Sequence, residues 1–227
     1  MKKNDFIEIV AQANKEFTPK EAVFFSWLCA VRVLPILGAA GHFDYWEEKP
    51  KHLFSIFTAL DMTASFASLD LEQELKRRAI FGHEGSFASL AAKAEYDASN
   101  ASLEIPPEAI YAKEVVFTVS WAACVTDLFS CGKHRKAADQ VRYVASAAYD
   151  AVSNVVTATQ DSQEVENIVS IMLDDAIKIK ADRKDLNTDK SVYGNILHNF
   201  FNALKKIDCV SLVSRYESMH AKIAQYP

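Results

Sequence analysis

Hydrophobic positions run almost unbroken from Ala22 to Phe43 (AVFFSWLCAVRVLPILGAAGHF), and Arg32 is the one formal charge inside the run. A segment apolar on every side predicts a helix buried on every side, with the rest of the chain wrapped around it. Its start is written in Thr18-Pro19-Lys20-Glu21. A threonine that can accept from an early backbone N–H, a glutamate three residues on that can reach back, and a proline at the first helical position make a capping box. Pro35 removes a donor and clashes one turn back, so the helix should end or kink near Leu34, and Gly38 and Gly41 should mark a turn.

Two further stretches repeat this pattern. Residues 50–69 read as a buried helix in which Asp61 is the lone charge between Leu53 and Leu69. Residues 107–131 read as another, opened by Pro106-Pro107, with Asp127 the only charge between Val115 and Gly132. Around them the apolar spacing predicts helices over 4–15, 70–81, 86–101, 134–158, 161–180, 191–206 and about 209–224. Asn187-Thr188-Asp189 is the clearest late loop, because these side chains compete with a helical backbone. Gly and Pro together are 12 of 227 residues (6 each), and strand-like alternation is nearly absent. The expected fold is therefore all-α: one domain over residues 1–227, a multi-helix bundle of roughly nine helices. Two local echoes, Ser26-Trp27 with Ser120-Trp121 and Tyr96-Asp97-Ala98 with Tyr149-Asp150-Ala151, are what decayed helical-hairpin repeats would leave, although their spacings differ.

Charge narrows the partners. The net charge of −5 disfavours nucleic acid, which needs clustered cations, and suits a basic protein partner. The N-terminus MKKNDFIEIVAQANKEF has no apolar core of a signal peptide. Arg32, Pro35, Gly38 and Gly41 argue against residues 22–43 as a membrane span. None of the four cysteines forms a C-x-x-C pair, and three lie in apolar runs, which points to a reducing, cytoplasmic setting.

Candidate chemistry is sparse. There is no G-x-S-x-G elbow, glycine-rich phosphate loop or H-E-x-x-H, and Glu217-x-x-His220 lacks the second copy a di-iron bundle needs. No catalytic residue, metal or cofactor is expected. Arg32, Asp61 and Asp127, each alone in an apolar helix, are expected to form a core ion pair, Arg32 with Asp127 or Asp61. A guanidinium cannot shed its proton and must find a carboxylate or several carbonyls; the rival reading is a ligand or catalytic pocket around the three. Residues 161–189 hold eight acidic side chains (Asp161, Glu164, Glu166, Asp174, Asp175, Asp182, Asp185, Asp189) against four basic ones (178, 180, 183, 184). That block is the expected face for a basic partner. If the Tyr-Asp-Ala echo is a true repeat, Tyr96 and Tyr149 line a shared groove, tyrosine being favoured at interfaces.

Several segments taken together resemble a known group. Phe17-Thr18-Pro19-Lys20-Glu21-Ala22 leads into Ala30-Val31-Arg32-Val33-Leu34-Pro35, an "A-x-R-x-L-P" opening. The alanine-rich middle with Tyr-Asp-Ala follows. The tail carries Leu173-Asp174-Asp175, Tyr193-Gly194-Asn195-Ile196, Asn199-Phe200, Ala203-Leu204 and Tyr216-Glu217. The chain is similar to all-helical, Ala-rich bacterial proteins related to immunity proteins of polymorphic toxin and contact-dependent inhibition systems. The resemblance implies a helical, non-enzymatic protein that binds and neutralises a cognate toxin. It transfers no active-site residue. The alternatives are a ligand-binding or enzymatic bundle near Arg32, Asp61 and Asp127, or an oligomeric interaction scaffold.

Overall fold

The computed structural model describes residues 1–68, 107–159, 162–181 and 186–223. The helices expected over 70–81 and 86–101, and the site candidates Tyr96, Asp161, Asp182 and Asp185, lie outside the described residues, as does the side chain of Glu164. The fold is all-α. Among the described residues there are eight α-helices: α1 (Lys3–Asn14), α2 (Pro19–Val33), α3 (Lys49–Ser68), α4 (Pro107–Ser130), α5 (His134–Thr159), α6 (Ser162–Ala181), α7 (Gly194–Lys206) and α8 (Val210–Ile223). Two 3₁₀ turns, Leu34–Gly38 and Lys190–Tyr193, complete the described elements.

α2 is the axis of the molecule. Its start is the capping box of the sequence: the Glu21 amide donates to Thr18 Oγ1 at 3.3 Å, and the Thr18 amide donates to Glu21 Oε2 at 2.7 Å. Every residue from Glu21 through Val33 is buried, against α3, α4, α5, α6 and α8. Pro35 does not kink the helix; it tightens the chain into the 3₁₀ turn, in which each remaining residue is also buried. Two segments, Pro19–Gly38 and Glu108–Ser130, are long and apolar enough to cross a membrane. The first is 94% buried inside the protein, as a core helix is; the second is 56% buried.

α4 and α5 are the most intimately packed pair, and only three residues join them, so they run antiparallel. The join is a Schellman turn. The Lys133 amide donates to Leu128 O at 2.9 Å and the Gly132 amide to Phe129 O at 3.0 Å, with Gly132 at φ +72°. α1 lies across α5 and α6. It is pinned by Lys3 on Asp150, by Asn14 donating to Ala138 O at 2.8 Å, and by the Tyr149 hydroxyl donating to Met1 O at 2.7 Å. At the other end, α7 packs on the 34–38 turn and on α8. There Phe43, Trp46, Phe200, Phe201 and Tyr216 form an aromatic cluster with ring centroids 5.6–6.4 Å apart.

Candidate functional site

Arg32 sits at the heart of the bundle with no exposed surface, and its partner is not one of the expected carboxylates. It is held by Asp175 of α6, with Nε donating to Oδ2 at 2.9 Å and Nη2 to Oδ1 at 3.1 Å, a two-pronged contact. Nη2 also donates to Asn187 O at 2.7 Å. The expected pairing of Arg32 with Asp61 or Asp127 is therefore corrected. Asp61 is half-buried on α3 and accepts from Arg215 of α8, the shortest contact being 2.6 Å to Nη2. Asp127 is half-buried on α4. A lone charge in an apolar helix marks the core only when that turn of the helix faces inward, and these two do not.

Burial pushes the Asp175 carboxyl above the usual carboxylate range, against the pull of Arg32. It also pushes up the neighbouring Cys29 thiol, with the Asp175 charge adding to the effect, which leaves that thiol inert. Around the pair stand the buried side chains of Tyr193, Tyr216 and His220. His220, the histidine of the E-x-x-H spacing, faces this core, while Glu217 reaches outward to Lys190. Among the described residues no three His, Cys, Asp or Glu side chains come together as a metal cluster would require.

His220 carries a pH dependence. Burial, with Arg32 and Lys190 nearby, lowers its pKa from about 6.5 to about 4, while Glu217 pulls the other way. An unfolded chain takes up this proton near pH 6.5, and the folded chain only near pH 4. Over that window the unfolded state binds more protons, so the stabilisation is complete above about 6.5 and is lost as the pH falls towards 4. Urea unfolding at pH 7 and pH 5 should show a smaller pH 5 loss for His220→Gln than for the native chain. Equal losses would place the histidine in solvent.

The acidic face expected on residues 161–189 is only partly realised. Glu166 is exposed. Asp174 is exposed and bonded to Lys178 at 3.0 Å, one turn along the helix. Asp175 is a correction: it is 1% exposed and engaged by Arg32, so it cannot meet a partner. Tyr149 is half-buried, with its ring 5.6 Å from that of Phe6 and its hydroxyl on Met1 O; it fastens α1 to α5.

The surface feature with the shape of a binding site lies elsewhere. A groove of about 610 Å³ runs between α1 and α6. One side is built by Glu8, Ile9, Gln12 and Ala13 of α1 and by Glu16 and Phe17 in the turn just after it. Ala176 and Ile177 of α6 close the other side. Ile9 is 39% exposed and Ile177 55% exposed, an unusual use of two isoleucines. Both charged residues lining the groove, Glu8 and Glu16, are acidic. Asp175 sets the wall: anchored inward on Arg32, it fixes the rotation of α6, and Ile177 two residues on faces out. Sequence reasoning missed this groove. The available signal was Ile177 among the polar positions of LDDAIKIK and the i, i+4 row Glu8, Gln12, Glu16.

No family model, curated protein or solved structure matches the chain.

Proposed function

We propose that this chain is a non-enzymatic binding protein of the cytoplasm, an immunity protein that neutralises a basic bacterial toxin domain by direct contact. The observation that carries this reading is the apolar groove between α1 and α6 whose charged lining is acidic throughout. A groove of this kind suits an amphipathic helix laid in along its apolar face, with basic residues meeting Glu8 and Glu16. The net charge of −5 supports the same partner, because opposite charge speeds encounter and rejects wrong surfaces. Inhibition is then steric and electrostatic, and no bond is made or broken. The reading takes residues 1–227 as one domain of roughly nine helices, with Ser26-Trp27 and Ser120-Trp121 as traces of a hairpin repeat.

The test is co-expression with a toxin-like protein encoded beside this chain. A complex should be captured, and cells making the toxin should survive. Ile177→Glu should weaken that complex about tenfold or more and leave the unfolding midpoint unchanged, because the side chain is exposed. Glu8→Lys should slow association chiefly at low salt. Absence of any such neighbour, or a complex indifferent to both substitutions, would overturn the proposal.

A further inference from the structure

Arg32 uses only part of its fork. Nε and Nη2 are engaged by Asp175 and Asn187 O, while buried Nη1, which carries two N–H groups, has no hydrogen-bond partner among the described residues. The hydroxyls of Tyr193 and Tyr216 and Nε2 of His220 are likewise buried without one among the described residues. These atoms are neighbours. The Tyr193 and Tyr216 rings lie 6.4 and 5.9 Å from the His220 ring. The Tyr193 hydroxyl is close enough to the guanidinium and to the Tyr216 hydroxyl to interact with both, though neither contact closes a well-aligned hydrogen bond. A buried polar group left unmade costs about 1–3 kcal/mol, more when it is charged, so three such groups beside an open Nη1 would be a heavy burden on a marginally stable fold.

We infer that Arg32 Nη1, the Tyr193 and Tyr216 hydroxyls and His220 Nε2 together form an internal hydration site, holding ordered water that bridges α2, the 190–193 turn and α8. The donor set selects the guest. Nη1 requires an acceptor, whereas the phenol oxygens and a neutral imidazole can use a donor as well, and water supplies both. A small anion only accepts. Asp175 already balances the charge of Arg32, so an anion would add an uncompensated buried charge. The half-exposed Lys190–Glu217 pair lies close enough to His220 to influence its charge.

The experiment is thermal unfolding of the full chain and of Tyr193→Phe and Tyr216→Phe. A hydroxyl that holds water costs a drop of about 2–6 °C when removed, whereas one with nothing to bond costs nothing, and its loss raises the midpoint. Unchanged or raised midpoints in both variants overturn the inference. The source of the guest is settled by melting the native chain in sodium chloride, bromide and nitrate at one ionic strength, and by a crystal structure grown from bromide. Equal midpoints, with density near Arg32 Nη1 that has no anomalous signal, support water. Selective stabilisation by one anion, an anomalous peak, or no density there overturns it.

Discussion

Replacing Arg32 with alanine should destabilise the fold by about 3–5 kcal/mol, on the order of 10 °C in the unfolding midpoint for a chain of this size. The loss is larger than the net worth of the ion pair, because it strands Asp175, 1% exposed, with no counter-charge. It also abandons the carbonyl of Asn187, which Arg32 holds at 2.7 Å. Asp175→Ala should cost at least as much. A stranded carboxyl can take up a proton to shed its charge, and burial already favours that form, but a stranded guanidinium has no such escape. Arg32→Met combined with Asp175→Leu separates the two contributions: with both charges gone and the volume largely kept, much of the stability should return. Arg32→Met, Asp175→Leu, the double variant and the native chain form a double-mutant cycle, read by urea unfolding at pH 7. A loss below about 1 kcal/mol for Arg32→Ala would mean that the guanidinium is open to bulk solvent. Because Asp175 also orients the Ala176–Ile177 wall, Arg32→Ala should weaken partner binding at a temperature where the variant is still folded.

The capping box at Thr18–Glu21 and the burial of α2 follow from local rules, since a cap is made within four residues and an all-apolar helix has only one place to go. That Arg32 needs a buried carboxylate follows from its chemistry. Which carboxylate does not, because positions 32 and 175 meet only through the packing of α2 on α6. The periodicity of α6 nevertheless held the answer. Ile168, Met172, Asp175 and Ile179 fall at i, i+4, i+7 and i+11, one stripe of a helix, and all four are buried. Asp175 interrupts an apolar stripe, while Asp174, rotated about 100° from it, lies off the stripe and pairs with Lys178 in solvent. Treating the two aspartates as one acidic motif concealed the difference. Asp61 and Asp127 misled for the opposite reason. Composition made their helices look buried all round, yet α4 keeps a partly open face with Trp121 stacked on the exposed Tyr143. The α1–α6 groove is the least legible feature, since its two sides come from segments far apart in the chain.

Gly38→Ala should be the most damaging added methyl among Gly38, Gly41 and Gly132, at about 3 kcal/mol. A Cβ at this position would stand 2.6 Å from the Cα of Phe200, 2.9 Å from its Cδ2 and 3.2 Å from its Cβ. Contacts under 3 Å with a backbone atom cannot be relieved by turning a side chain, so α7 would have to move away from the 34–38 turn. That motion is opposed at three places. Asn199 donates to Ala39 O at 2.8 Å, Lys206 donates to Gly41 O at 3.1 Å, and the Phe200 ring is packed against Phe43 and Tyr216. Gly41→Ala is the control. Its Cβ would meet nothing within 4 Å, and only the left-handed backbone, φ +77°, resists the change, for about 1 kcal/mol. Phe200→Leu in the Gly38→Ala background can remove the ring contact but not the clash with Cα, so it should restore little. If Gly38→Ala and Gly41→Ala cost the same in urea unfolding, α7 is not seated on the turn. If they differ as expected, the glycine is there because two backbones touch, a requirement no local pattern around residue 38 reveals.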